Sequence, residues 1–391
     1  MITYEEALRI VLDHARVLEP ERVPLRDAAN RVLAEDVPSD IDMPPFDKAA
    51  MDGYACRRAD LPGPLRVIGV VQAGRPPAGG IGPGECMKIM TGAVVPPGAD
   101  CVIMVEYTEP AGSSAVHFTK RDTDTNICVR GEDTTTGDIV LRRGTRIGPQ
   151  QIGLLASVGC VRPLVARRPR VGVIATGDEL VEPDRQPGPA EIRTSNSVQL
   201  CVHIEEAGAI VAYYGIARDE ADALDTIVRR ALSENDVVVL SGGVSMGDFD
   251  FVPDTLRKNG IDILFDSVAV KPGKPTTFGV GASTYCIGLP GNPVSTFVQC
   301  ELLVKPFLYA LMGREYAPAL FRAPLATPYR RKKADRQGWF PASVAESGEV
   351  TPIDYHGPAH LGAVGCANAL MMIPRGVPEF EKGALVSVRP I

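Results

Sequence analysis

The sequence predicts a multidomain protein of the α/β plus β class, on three observations. Between 170 and 312, strand-like apolar runs alternate with helical stretches. Between about 55 and 145, short β-branched runs alternate with glycine and proline clusters. After Pro318 the helical periodicity ends and short apolar runs return. Taken from the amino end, Thr3 followed by Glu6 has capping-box spacing, and Ala7, Ile10, Val11 and Ala15 share one helical face, so a first helix is expected. A second helical stretch is expected at 25–34, and Pro44-Pro45 forbids its continuation. The runs 67–71, 101–105 and 139–141 read as small strands of a compact β-rich domain, and 152–158 as a helix.

Val171-Gly172-Val173-Ile174-Ala175-Thr176 then reads as a buried strand, 195–206 as a helix and 210–216 as a strand. The unit repeats with a helix at 221–232, a strand at 236–240, a short helix at 253–258, a strand at 284–288 and a long helix at 293–312. Strands alternating with helices imply a mostly parallel sheet covered on both faces. The runs 367–373 and 385–388 fit a small C-terminal β-barrel or sandwich.

A chain of 391 residues with 45% hydrophobic and 23% charged residues has room for two to four globular domains. Lys and Arg number 41 against 48 Asp and Glu, a net charge of −7, which argues against a broad grip on nucleic acid phosphates. The first residues carry no basic stretch leading into an apolar one, and no run of eighteen apolar residues follows, so no membrane is expected and the cytoplasm is the expected address. Nine cysteines, an odd number without C-x-x-C spacing, argue against a disulfide framework.

Three turn motifs follow expected strands of the α/β region: Thr176-Gly177-Asp178-Glu179, Ser241-Gly242-Gly243-Val244-Ser245, and Leu289-Pro290-Gly291-Asn292-Pro293-Val294-Ser295. Ligands bind at the carboxyl ends of strands in open parallel sheets, so the three motifs are expected to form one rim. Gly242 and Gly243 let the backbone approach an anion, and the helix beginning near Pro293 adds its positive end. Asp178, Glu179, Asp219, Asp248 and Asp250 supply hard oxygens of the kind that hold Mg²⁺ against phosphates. Lys271-Pro272-Gly273-Lys274-Pro275 carries two cations suited to an oxyanion on a proline-stiffened loop. Met90-Thr91-Gly92-Ala93 and Arg130-Gly131-Glu132-Asp133 are weaker signals of the same kind. No H-E-x-x-H, G-x-S-x-G or P-loop is present, which leaves zinc hydrolysis, a serine triad and P-loop NTPase chemistry without support.

Together with Phe46-Asp47-Lys48-Ala49-Ala50-Met51-Asp52-Gly53-Tyr54-Ala55 and Lys88-Ile89-Met90-Thr91-Gly92-Ala93, these segments resemble the MoeA family of molybdopterin molybdenumtransferases, to which the E domains of gephyrin and of the plant molybdenum insertase belong. The resemblance covers nearly the whole chain. It implies four subdomains: a linking domain at 1–48 and 134–168, a β-rich domain at 49–133, a MogA/MoaB-like molybdopterin-binding α/β domain at 169–316, and a C-terminal β-barrel domain at 317–391. It implies a homodimer that takes adenylylated molybdopterin and molybdate, inserts the metal with Mg²⁺ and releases AMP. A MogA/MoaB-type adenylyltransferase and apo-molybdoenzymes are the implied partners.

Carried onto this chain, the catalytic positions are Asp52, Thr91, Asp133, Glu179, Asp219 and Asp250, with Glu179 and Asp250 as the metal ligands. The substrate-binding positions are Ser241, Gly242, Gly243, Ser245, Lys271, Lys274, Pro290, Gly291, Asn292 and Ser295. The chain departs from the family pattern at Cys128, Ser267 and Pro358, and Arg130 or Arg336 is expected to replace a missing cation. A pterin carrier or scaffold and a MogA-like adenylyltransferase are the alternative readings.

Overall fold

The computed structural model describes residues 1–243 and 251–391. Helix α1 (Tyr4–Asp13) starts as the spacing predicts, with Thr3 Oγ1 accepting from the Glu6 amide at 3.1 Å. Its buried residues Ala7 and Val11 join the same apolar core as Val171, Val304 and Phe307, so the amino-terminal helix packs on the α/β region. The expected helix at 25–34 is absent. Only a 3₁₀ turn, Leu25–Ala28, forms, and Asn30 then turns left-handed at φ 63°. The following amides pair across the chain instead, Asn30 to the Ile147 carbonyl and Leu33 to the Thr145 carbonyl, so tertiary pairing overrides the local periodicity. Helix α2 (Pro149–Ser157) completes this part.

The β-rich region forms a six-stranded sheet from β1 (Gly53–Cys56), β2 (Pro64–Val71), β3 (Glu85–Ile89), β4 (Cys101–Met104), β5 (Thr108–Pro110) and β6 (Ala115–Phe118), in the order β4-β1-β3-β2-β6-β5. Only β2 and β3 are parallel.

The α/β region contains β7 (Arg170–Thr176), α3 (Asn196–Glu206), β8 (Ile210–Ala217), α4 (Ala221–Glu234), β9 (Val237–Ser241), α5 (Val252–Lys258), β10 (Asp262–Phe265), β11 (Thr277–Val280) and β12 (Tyr285–Leu289). Sheet order is β8-β7-β9-β12-β11-β10. The first four strands are parallel, and β11 and β10, which local patterning does not reveal, add antiparallel at the edge. In β7, β9 and β12 nearly every residue is buried, as strands covered on both faces require.

After β12 come α6 (Pro293–Gln299), a π turn at Cys300–Val304 and α7 (Lys305–Leu311). Pro306 has no N–H for the carbonyl of residue 302 and its ring would crowd that carbonyl, which accounts for the wider turn just before it. The helical run Pro293–Leu311 is long and apolar enough to cross a bilayer, but 83% of it is buried, as in a core helix.

The C-terminal sheet is built from β13 (Phe321–Pro324), β14 (Gln337–Val344), β15 (Val350–Pro352), β16 (Ala369–Ile373) and β17 (Leu385–Pro390). A short helix, α8 (Leu361–Gly365), interrupts a stretch expected to hold none. The two-residue strand Val270–Lys271 leaves the α/β region and extends this sheet, parallel to β14. A buried charge network joins the same two regions. Glu301, in the π turn, accepts from His203 of α3 at 2.5 Å, from Lys305 at 2.6 Å and from Arg389 of β17 at 2.6 Å. Arg389 also donates to the Glu301 backbone carbonyl at 2.6 Å.

Candidate functional site

The carboxyl ends of β7, β9 and β12 lie side by side, with Ala175 in register with Ser241 and Ser241 with Leu289. The three turn motifs therefore open on one rim. Gly242 has φ 97°, and a Cβ there would lie 2.5 Å from the Thr176 carbonyl oxygen, so only glycine lets this turn settle on β7. A Cβ on Gly291 would lie 3.7 Å from Gly242 Cα, so the second and third turns meet backbone to backbone. Asn196, the first residue of α3, ties them by donating to Ser241 Oγ and to the Gly291 carbonyl, both at 2.8 Å. Its own Oδ1 and Thr176 Oγ1 are buried with no partner among the described residues. Sequence reasoning gave Asn196 no role, because its bonds reach turns far along the chain.

Asp178 and Glu179 are exposed beside this rim, and the Asp219 amide donates to Asp178 Oδ1 at 3.2 Å. No side chain among the described residues hydrogen-bonds the Glu179 carboxylate. Ser245, Asp248 and Asp250, all expected here, lie outside the described residues. Among the described residues no group of three His, Cys, Asp or Glu forms a ready-made metal cage. An exposed carboxylate on an anion-receptive rim suits Mg²⁺, which takes one or two carboxylates and completes its shell with waters and substrate phosphates.

Ser295 is buried on α6, whose N-cap is Asn292, and the Thr296 amide donates to the Asn292 carbonyl at 3.0 Å. The lysine loop packs against this helix. Gly273 has φ 109°, a Cβ there would run into the Gln299 side chain, and Gln299 Nε2 donates to the Pro272 carbonyl at 3.3 Å. Gly273→Ala is therefore expected to cost about 1–3 kcal/mol of stability, read as a lower thermal midpoint, and to move Lys271.

Lys271 is half-buried and Lys274 exposed. Burial pushes the Lys271 pKa down, and the like charges of Arg336, Arg331 and Lys333 push the same way, opposed by Asp335. The Arg336 guanidinium donates to the Val270 carbonyl at 3.2 Å. Of the two arginines expected to replace a missing cation, Arg336 thus stands beside the lysine loop. Arg130 is committed elsewhere, pairing with Asp42 at 2.7 Å. Of the departures, Cys128 pairs with Lys48, Ser267 accepts from the Ile2 amide at 3.1 Å, and the Pro358 carbonyl accepts from Val294 on α6 at 3.1 Å.

A second group forms in the β-rich region. Thr91 donates to Asp52 Oδ1 through its amide at 2.6 Å and its hydroxyl at 2.8 Å, and these two bonds hold the Asp52 carboxyl below the usual range. The segment around Ala49 runs between Gly92-Ala93 on one side and Asn126-Ile127 on the other, and the Asp133 amide donates to the Met43 carbonyl at 3.0 Å. Among the described residues no hydrogen bond or ion pair links Asp52, Thr91 or Asp133 to the α/β rim.

The arrangement defines a class: a multidomain protein whose α/β domain presents backbone turns and exposed carboxylates at one rim, with a lysine on a strand shared with its C-terminal sheet and a second on the loop that follows. Residues 2–159 match the "MoeA N-terminal region (domain I and II)", 172–310 the "Probable molybdopterin binding domain" and 322–391 the "MoeA C-terminal region (domain IV)". The chain is 35% identical to the molybdopterin molybdenumtransferase of Bacillus subtilis (strain 168), across 99% of this chain and 93% of that one. It is 33% identical to the molybdopterin molybdenumtransferase of Staphylococcus aureus (strain MRSA252), across 99% and 95%. The crystal structure of the molybdopterin biosynthesis moeA protein from Pyrococcus horikoshii OT3 superposes with a TM-score of 0.87 at 30% identity, covering all of both chains. The chain belongs to the MoeA family of molybdopterin molybdenumtransferases, and it is a transferase of molybdenum cofactor biosynthesis.

Proposed function

We propose that the protein inserts molybdenum from molybdate into adenylylated molybdopterin and releases AMP in a Mg²⁺-dependent step, acting as a cytoplasmic homodimer. A MogA/MoaB-type adenylyltransferase supplies the nucleotide and apo-molybdoenzymes receive the product. The observation that carries this reading is the meeting of Thr176, Gly242 and Gly291 at one rim, with two lysines on a loop packed against the helix that leaves it.

In this reading the turns bind the phosphates through the backbone N–H groups of Gly243, Gly291 and Asn292, the Gly242 amide being taken by the Leu289 carbonyl at 3.1 Å. Glu179 and Asp250 hold Mg²⁺, which when bound neutralises the phosphoanhydride charge. Lys271, Lys274 and Ser295 bind and polarise molybdate, and the pterin's own sulfur atoms attack molybdenum. No covalent protein nucleophile is needed; the chain supplies position and charge. Asp52, Thr91 and Asp133 serve from the partner protomer, a role supported by the lack of hydrogen bonds from them to the rim among the described residues.

The test is AMP release from purified protein given adenylylated molybdopterin and Mg²⁺, with and without molybdate. Release that depends on molybdate and is lost in Glu179→Ala is the expected result. Tight pterin binding without release under any oxyanion overturns it in favour of a carrier. Consumption of ATP with unmodified molybdopterin overturns it in favour of an adenylyltransferase.

A further inference from the structure

A cleft of about 500 Å³ lies at the other edge of the parallel sheet. Arg170, on its wall, opens β7 and pairs in register with Ile210 at the start of β8, whereas the rim lies where β7 ends at Thr176. Six residue steps at about 3.3 Å each put roughly 20 Å between them. The volume is within the range of about 300–1,000 Å³ found for small-molecule sites.

Five arginines line this cleft, Arg26, Arg31, Arg167, Arg168 and Arg170, against two acidic residues, Glu21 and Asp27. Arg31 pairs with Glu21, and Arg167 pairs with Asp236 through two bonds at 2.8 and 3.0 Å. Among the described residues no ion pair satisfies Arg26, Arg168 or Arg170. Arg31 is nearly buried, its side chain 9% exposed, whereas Arg26 and Arg170 are exposed and Arg168 is half-buried. The cleft is a basic concavity in a chain of net charge −7, so its charge is local.

We propose that this cleft binds a phosphate-bearing anion of two or more negative charges, an inorganic pyrophosphate or a nucleotide, at a site separate from the α/β rim. Planar guanidiniums grip two oxygens of one phosphate at once, which matches the unpaired donors of Arg26, Arg168 and Arg170. The ligand closes the gap between the segment around Glu21–Arg31 and the amino ends of β7 and β8. Its binding is therefore expected to raise the thermal midpoint.

The experiment is calorimetric titration of the full chain with sodium pyrophosphate and, separately, with AMP, at constant ionic strength. Two variants accompany it: Arg26→Ala/Arg170→Ala, which removes two exposed side chains and spares the core, and Lys271→Ala at the rim. The expected result is a saturable pyrophosphate site, distinct from any binding at the rim, that is unchanged in Lys271→Ala and weakened by about tenfold or more in the double variant. AMP competing for that site identifies a nucleotide as the natural source; AMP without effect on it identifies an inorganic or smaller phosphate. Loss of binding in Lys271→Ala with none in the double variant assigns the anion to the rim and overturns the proposal. So does the absence of saturable pyrophosphate binding, or binding that neither variant alters.

Discussion

Lys271→Ala is expected to lower molybdate-dependent AMP release by about a hundredfold or more, the scale seen when one preorganised charge or donor is taken from a reacting oxyanion. The side chain is half-buried among Arg336, Arg331 and Lys333, and burial and those charges make its ammonium costly when nothing negative is near. In the proposed reaction a bound oxyanion would remove that cost. Lys274 is exposed, and Lys274→Ala is expected to act mainly through the KM for molybdate. The pH dependence has a definite sign. Because the Lys271 pKa is pushed below its ordinary 10.5, activity of the free enzyme should decline on the alkaline side at a pH below that of an unperturbed lysine. The rate profile of the wild type and of Lys271→Arg checks this, since the arginine keeps its charge and should flatten the alkaline limb.

Arg389→Met is expected to cost about 3–5 kcal/mol, because it leaves Glu301 short of a partner in a buried site. Glu301 is 2% exposed and Arg389 3%. Burial by itself would raise the Glu301 pKa, but the hydrogen bond from His203 and the charges of Arg389, Lys305 and His203 pull it down. Burial by itself would lower the His203 pKa, but Cys300 and Glu301 beside it push it up. The signs follow by linkage. The Glu301 contribution is complete above the ordinary glutamate pKa of 4.5 and is lost as pH falls toward about 2. The His203 contribution is complete below 6.5 and is lost as pH rises toward about 10. Unfolding followed by near-UV circular dichroism across that range should therefore show a plateau between the two limbs, and Arg389→Met should lower it. The double change Arg389→Met/Glu301→Leu should recover only part of the loss, because it removes the stranded carboxylate but leaves Lys305 and His203 without the acceptor they share.

The parts of this protein legible in the sequence are those whose physics is local. β7, β9 and β12 are buried on both faces, so they read as unbroken apolar runs, and the glycines that end them mark turns that a side chain would block. The pairing of Asp52 with Thr91 is not legible in the sequence, where Thr91 stands out only as a hydroxyl beside a glycine turn and Asp52 only through the family resemblance, since the bond joins different strands' ends. Strands β10 and β11 were missed because their place depends on antiparallel pairing at a sheet edge. The stretch 25–34 was misread because its helical spacing loses to bonds with 145–147. Nor could spacing choose between Arg130 and Arg336. In the structure Arg130 is paired with Asp42, and Arg336 stands beside the lysine loop on the Val270 carbonyl.

The strand Val270–Lys271 has a consequence for how such a chain can be taken apart. Its partner, β14, lies beyond the expected boundary at 316, so the α/β domain lends two residues to a sheet it does not own. A chimera cut at 316 and joined to a relative's C-terminal domain would inherit β14 with an edge shaped for someone else's strand. Unless its register matched, that edge would be left with bare N–H and C=O groups, an invitation to pair with another molecule. Recombination between relatives is thus constrained to exchange 270–271 along with the C-terminal sheet, and the lysine loop travels with it.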